Sequence, residues 1–397
     1  MSRSTERAAQ APGTSSTPAA PAPSSPGPTR DSGAPKRKLP SKRLLWMLPA
    51  GLALLGGLDA GLLLMGLPAP ITTRRLPEVH GALLILGFVA TLVSLERATA
   101  LGRWYGFIAP AILGLGAILL VTDPVPLVAA KCVVAAGLAA FTALYIPLWR
   151  RQYDASTLTQ LLGTGLALAG AILWIGDAPF SRIVPWLIGF LVLTIAAERV
   201  ELGRITMGPN AGSRLLLHAW ALTAALMIGI VFEDAGAIAL GVVLLSLVAW
   251  LAKHDIARRT IRTTGVTRYM AACILAGYVW LAVAGALLLF GFPNEQPFYD
   301  SIAHAVFLGY TFSMIMAHAT TILPAVLAIN LPYRGLFWVP AMLLQVALIV
   351  RLGIGNAFGV REAWHLGGYL GVAALLLFVL TAVGSAVVGK PRKGNRA

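Results

Sequence analysis

Twelve runs of roughly twenty predominantly apolar residues follow one another in this sequence, at about 44–67, 78–98, 104–122, 126–149, 156–175, 180–200, 212–232, 235–252, 267–291, 299–327, 333–354 and 362–388. Each is long enough to cross a bilayer as an α-helix. A segment in lipid must satisfy its backbone hydrogen bonds internally. Long unbroken runs, as opposed to short alternating ones, predict helices over a β-barrel. Charged residues make up 12% of the chain, about half the share usual in soluble domains, which agrees. The expected fold is therefore all-α: a polytopic membrane helix bundle over 44–388 with about 12 transmembrane helices. Its connections are short, which favours one bundle over separate domains.

Residues 1–43 form an Ala-, Pro- and Ser-rich stretch that ends in a basic cluster, Lys36, Arg37, Lys38, Lys42 and Arg43. Such a composition buries no core and predicts a disordered tail. A second basic tail covers 389–397. With both tails on one side, 25 of the 31 Lys and Arg fall on that side and five on the other, with Lys131 inside a span. The positive-inside rule then puts both termini in the cytoplasm of a cell (inner) membrane protein. The net charge of +15 is explained by this bias, so no nucleic-acid partner is inferred; the expected surroundings are lipid.

Titratable side chains at membrane depth are functional candidates. The chain has six histidines, and two of them, His304 and His318, lie in span ten. Fourteen residues of regular α-helix make nearly four turns, which predicts one face and a separation of about 21 Å along the axis. With the topology above, His80, His304 and His365 fall near the outer ends of spans two, ten and twelve. His218 and His318 fall near the inner side, and His254 falls in a basic loop. Two neutral imidazoles facing each other from different helices can hold a haem iron, and His80 and His304 carry small neighbours, Gly81, Ala82, Ala303 and Ala305. The inner pair could bind copper, a second haem, or each other through water, with Met314 as a thioether candidate. Asp59 reads as a protonated or paired carboxyl within span one. Glu96, Arg97, Glu198, Arg199 and Glu201 read as ion pairs near the inner surface.

Other chemistries lack their motifs. The two cysteines, Cys132 and Cys273, form no CxxC or CxxCH, which removes the basis for a thiolate cluster or a covalently attached c-type haem. No P-loop, HExxH or GxSxG occurs either.

Three stretches carry a family resemblance: HGALLILGFVATL in span two, AAERVELGRI ending span six, and HAVFLGYTFSMIMAHATTILPAVL in span ten. With twelve spans and both termini inside, the chain resembles haem-copper oxidase subunit I, and more closely the NnrS-like family. NnrS-type proteins contain haem and copper and are associated with nitric oxide and nitrosative stress. The resemblance implies b-type haem (haem b) held by His80 and His304; His218, His318 and His365 stay metal candidates on residue type and depth alone. It further implies copper as a second cofactor, and nitric oxide or a redox protein as partner. It departs from the pattern in two places. Span six has no histidine and span seven only His218, so the histidine cluster needed for oxygen reduction is missing. Span two carries His80 alone where NnrS-type chains carry more than one histidine. A cofactor-free multi-pass permease using Asp59, Lys131 and the histidines, and a structural or assembly subunit of a respiratory complex, are the alternative expectations.

Overall fold

A computed structural model describes residues 42–389. The tails expected over 1–43 and 389–397 lie outside the described residues, except for Lys42, Arg43 and Gly389 at their edges. No strand occurs among the described residues. Twelve helices are long and apolar enough to span a membrane: α1 Leu45–Leu64, α2 Arg75–Leu101, α3 Trp104–Val121, α4 Leu127–Gln152, α5 Ala155–Ile175, α6 Phe180–Leu202, α7 Ala211–Val231, α8 Glu233–His254, α9 Gly265–Leu288, α10 Gln296–Leu327, α11 Gly335–Asn356 and α12 Arg361–Val388. Every end agrees with the sequence reading to within three residues. The chain is thus a multi-pass membrane protein.

Sequential helices pack as neighbours, and α12 returns to touch α1. The three most buried helices are α2, α6 and α10. Of these α10 is the hub, packed against α1, α2, α6, α9 and α11. Phe88 of α2 stacks on Phe312 of α10, with ring centroids 5.8 Å apart. The outer helices turn Leu52, Ile172, Leu217, Ile230 and Val242 away from the bundle, as a lipid-facing surface requires.

Lipid gives helices no hydrophobic reason to associate with one another, so close packing and interhelical hydrogen bonds hold them. Both devices are present. A Cβ built on Gly236 of α8 would lie 2.2 Å from Cα of Gly229 in α7, so the two backbones touch there. Further along, Trp280 of α9 donates to Oε1 of Gln345 in α11 at 2.7 Å, and Gln345 donates onward to Ser313 of α10 at 3.1 Å. One chain of polar groups thereby joins three helices.

Three helices contain a π-helical segment. Leu83–Val89 in α2, Ala305–Phe312 in α10 and Ile349–Asn356 in α11 are π-helical. The wider i→i+5 turn is uncommon and concentrates at functional sites. The first of these segments begins three residues after His80 and the second immediately after His304, while the third contains Arg351.

The Gly229–Gly236 contact leaves no room for a methyl group. Gly236→Ala should destabilise the protein by about 1–3 kcal/mol, the usual cost of overpacking. Gly165→Ala, where nothing lies within 4 Å, should not. Thermal unfolding of the two variants in detergent would check this.

Candidate functional site

A cavity of about 360 Å³ opens where the three π-helical segments converge. That volume falls in the range of small-molecule and cofactor sites. Its walls come from α1, α2, α6, α10, α11 and α12, and include His80, His304, Arg351 and Trp364 among mostly apolar side chains. On α12, Gly371 adds floor space, since a Cβ built there would meet only Leu308, at 3.6 Å.

Both histidines present the same chemistry to this space. Nδ1 of His80 lies 2.8 Å from the carbonyl oxygen of Gly57 in α1. Nδ1 of His304 lies 2.9 Å from the carbonyl oxygen of Asp300 and 3.1 Å from its Oδ1. Oxygens of these kinds only accept, so each Nδ1 carries a proton, and Nε2 is the nitrogen left for a ligand. No protein group bonds either Nε2 among the described residues. A neutral imidazole fixed through Nδ1–H, with Nε2 free, is ready to ligate a metal or to accept a proton. The ring of His80 also rests against Gly61, where a Cβ would come within 3.0 Å of Cε1.

Asp300 organises the His304 side. It is buried, and Arg351 donates to both of its oxygens, from Nε at 3.1 Å and Nη2 at 2.7 Å. Asn356 Nδ2 donates to it at 2.8 Å and Trp364 Nε1 at 3.2 Å. Arg351 in turn stacks on Trp364, 4.4 Å from the ring centre, and its Nη1 reaches Met65 Sδ at 3.3 Å. The remaining cation of this wall is therefore fully engaged.

A second buried network lies around His318. Arg199 of α6 pairs with Asp255 through Nε at 2.9 Å and Nη2 at 2.8 Å, and Tyr278 donates to Asp255 at 2.7 Å. The backbone N–H of Ala257 adds a fourth bond at 2.8 Å. His318 donates from Nδ1 to the carbonyl of Met314, and its Nε2 accepts from Arg199 Nη1 at 3.0 Å. Burial by itself would raise the Asp255 carboxyl, but the bonds from Arg199, Tyr278 and Ala257 outweigh it and hold the group below the ordinary carboxylate range. Nearby, Arg97 joins Glu198 at 2.9 Å, and Glu96 and Glu201 at 3.5 Å.

A family model described as a domain of unknown function (DUF8744) matches residues 43–387. The chain belongs to that family. No curated protein matches it.

Within this DUF8744 bundle the sequence-derived candidates separate. His80 and His304 line one cavity. The two histidines of span ten do not share an environment. The wide π-turn between them breaks the simple four-turn register, and His318 meets Arg199 of α6 instead of the cavity. His218 and His318 share no partner either. His218 donates to the carbonyl of Arg214, accepts from Ser246, and stacks on Trp250. With both lone pairs engaged, the inner pair as placed does not fit a copper ion. No group of three or more His, Cys, Asp or Glu that could hold a metal occurs among the described residues. Met314 uses its carbonyl on His318 and packs its methyl group toward Gly277, a packing role and not a thioether ligand's. His365 is half-buried, not among the residues lining the cavity, and edge-on to Trp364 at 5.0 Å. His254, expected to be solvated, ends α8 half-buried and bonds the Trp250 carbonyl. Asp59 lies near the end of α1, where Oδ1 accepts from the Ile71 amide at 3.3 Å. Lys131 bonds the Trp174 carbonyl at 2.8 Å and Asp177 at 3.0 Å.

The sequence reading missed Asp300, Arg351, Asn356 and Trp364 as a unit. In the sequence, Asp300, Arg351 and Trp364 all sit near the outer ends of spans, where charged and aromatic residues are ordinarily interfacial. The available signals were Asp300 one turn ahead of His304, and an arginine embedded in the apolar run LIVRLG.

Removing the Asp255 charge should leave Arg199 buried without its partner. Asp255→Asn is expected to cost about 3–5 kcal/mol at pH 7, as breaking a buried pair does. Because the folded carboxyl is depressed, its contribution is present above the unfolded value near 3.8 and is lost as pH falls through the lower folded value. The gap between wild type and variant in detergent unfolding should therefore narrow only below about pH 4.

Proposed function

We propose that this protein binds a b-type haem between His80 and His304. We further propose that it acts by electron transfer or ligand binding in nitric oxide or redox-stress handling, and not in oxygen reduction. The observation that carries the reading is the pair of imidazoles on α2 and α10 that line one cavity with Nδ1 bonded and Nε2 free. The donor chemistry fits the group. Two neutral imidazoles suit a haem iron, and the apolar lining with the open floor at Gly371 suits a flat macrocycle. When bound, the haem supplies a redox-active iron.

The chain supplies the rest. The Gly57 carbonyl and Asp300 fix which nitrogen each histidine offers. Leu58, Leu84, Val184 and Phe307 line the cavity and would exclude water from a group held there. The resemblance to NnrS-type and oxidase subunit I chains supports the same pair of ligands and the same twelve-span, oxidase-like arrangement, with the cavity at the outer face and both termini in the cytoplasm. The missing histidine cluster on α6 and α7 argues against a copper centre of the oxygen-reducing kind.

A second reading has one observation behind it. A histidine with Nδ1–H on a carboxylate and Nε2 facing a cavity is also the arrangement of a proton acceptor, as a proton-coupled permease would need.

Protein purified in mild detergent from haem-replete cells should show a Soret band. His80→Ala and His304→Ala should each abolish it, while His254→Ala and His318→Ala should keep it. A wild-type protein without the band, but with flux in proteoliposomes that His304→Ala stops, would replace the haem reading with the permease.

A further inference from the structure

The two cavity histidines are held by unequal acceptors. His80 Nδ1–H faces a neutral carbonyl of Gly57. His304 Nδ1–H faces a carbonyl and, in addition, the Asp300 carboxylate at 3.1 Å. We propose that Asp300 is a positioning residue for His304: it draws on the Nδ1 proton, makes Nε2 the stronger electron donor of the two, and sets the strength of the bond on the α10 side of the site. The part of this concerning iron rests on the haem reading above; the polarisation of His304 does not.

The geometry separates this from a simple structural clamp. Asp300 is fixed by Arg351, Asn356 and Trp364, and these come from α11 and α12. Arg351 and Asn356 both sit on the π-helical segment of α11, whose wider turn brings them to one carboxylate. None of the three donors bonds His304 itself. They act on it only through Asp300, each one withdrawing negative charge that would otherwise reach the Nδ1 proton. A carboxylate behind a ligating imidazole raises the basicity of the ligand, and its loss usually weakens metal binding 10–100-fold. The arrangement therefore has an accelerator, Asp300, and a brake, Arg351 with Asn356, and variants of the two should act in opposite directions.

The test uses the full-length protein in detergent. In Asp300→Asn the haem midpoint potential should move positive, since a less basic ligand stabilises the ferric iron less, and haem affinity should fall about 10–100-fold. In Arg351→Gln the potential should move negative, because the carboxylate is freed. Asn356→Ala, which removes one neutral donor and is the milder change, should move it negative by less. Shifts of the same sign for Asp300→Asn and Asn356→Ala, or none for either, would overturn the proposal, and Asn356→Ala decides alone if the charged variants do not fold.

A second measurement is independent of the cofactor. In haem-free protein labelled with nitrogen-15 at histidine, and assigned by the His304→Ala spectrum, the Nδ1 proton of His304 should resonate downfield of that of His80. It should move upfield in Asp300→Asn. If the wild type takes no haem but this shift is seen, the haem reading fails and the role of Asp300 stands. If the two protons coincide and Asp300→Asn moves neither, the role of Asp300 fails whatever the cofactor.

Discussion

A carboxylate inside a membrane-spanning bundle has no water to solvate it, so it persists only where protein donors replace that water. Asp300 meets this condition with Arg351, Asn356, Trp364 and His304 around one side chain. The residues come from α10, α11 and α12, and their positions are mutually dependent. Moving α10 or α11 would strand a buried charge, and moving α12 would remove the Trp364 donor. The same requirement is met again around Asp255, where Arg199, Tyr278 and a backbone amide converge and His318 is drawn in as an acceptor. Two buried carboxylates thus fix the helices around two histidines of α10, but with opposite results. At Asp300 the histidine is left with a free nitrogen facing a cavity. At Asp255 both nitrogens are consumed.

That contrast is the basis for treating the two ends of α10 as different kinds of place. The His318 end is internally satisfied, and its bonds make a structural node that ties α6 to α10 and to the connection after α8. The His304 end is incomplete by comparison, with two histidines whose Nε2 atoms bond no protein group among the described residues and an apolar cavity that both line. Such a combination is what the proposed haem reading rests on. It is built where three helices depart from regular geometry together, and chance would seldom place all three departures around one cavity.

Much of the architecture was readable from the sequence, because lipid imposes long apolar runs and the runs can be counted. That His80 and His304 lie at a similar depth was also readable, since both lie just inside the ends of their helices, and both line one cavity. What sequence could not supply was lateral proximity. Asp300 and Arg351 are 51 residues apart, and Arg199 and Asp255 are 56 apart, with nothing local to mark them as pairs. Arg199 was legible as an ion-pair member but not its partner, while Asp255, Asp300 and Arg351 lie near span ends, where a charge looks solvated whether or not a partner buries it. Register was the other loss. The α-helical period put His304 and His318 on one face, whereas the π-helical segment between them changes the phase, and no simple residue pattern in AVFLGYTF announces this.

The π-helical turns carry a consequence for the history of this family. Each wide turn is equivalent to one residue inserted into an α-helix, which rotates everything beyond it by about 100°. A relative that lost that residue would keep its hydropathy profile, its span count and even its histidine, yet would aim the far half of the helix elsewhere. Single-residue gaps just after His80 or His304 should therefore mark the branches where this cavity was gained or abandoned, more sharply than substitutions of the histidines themselves.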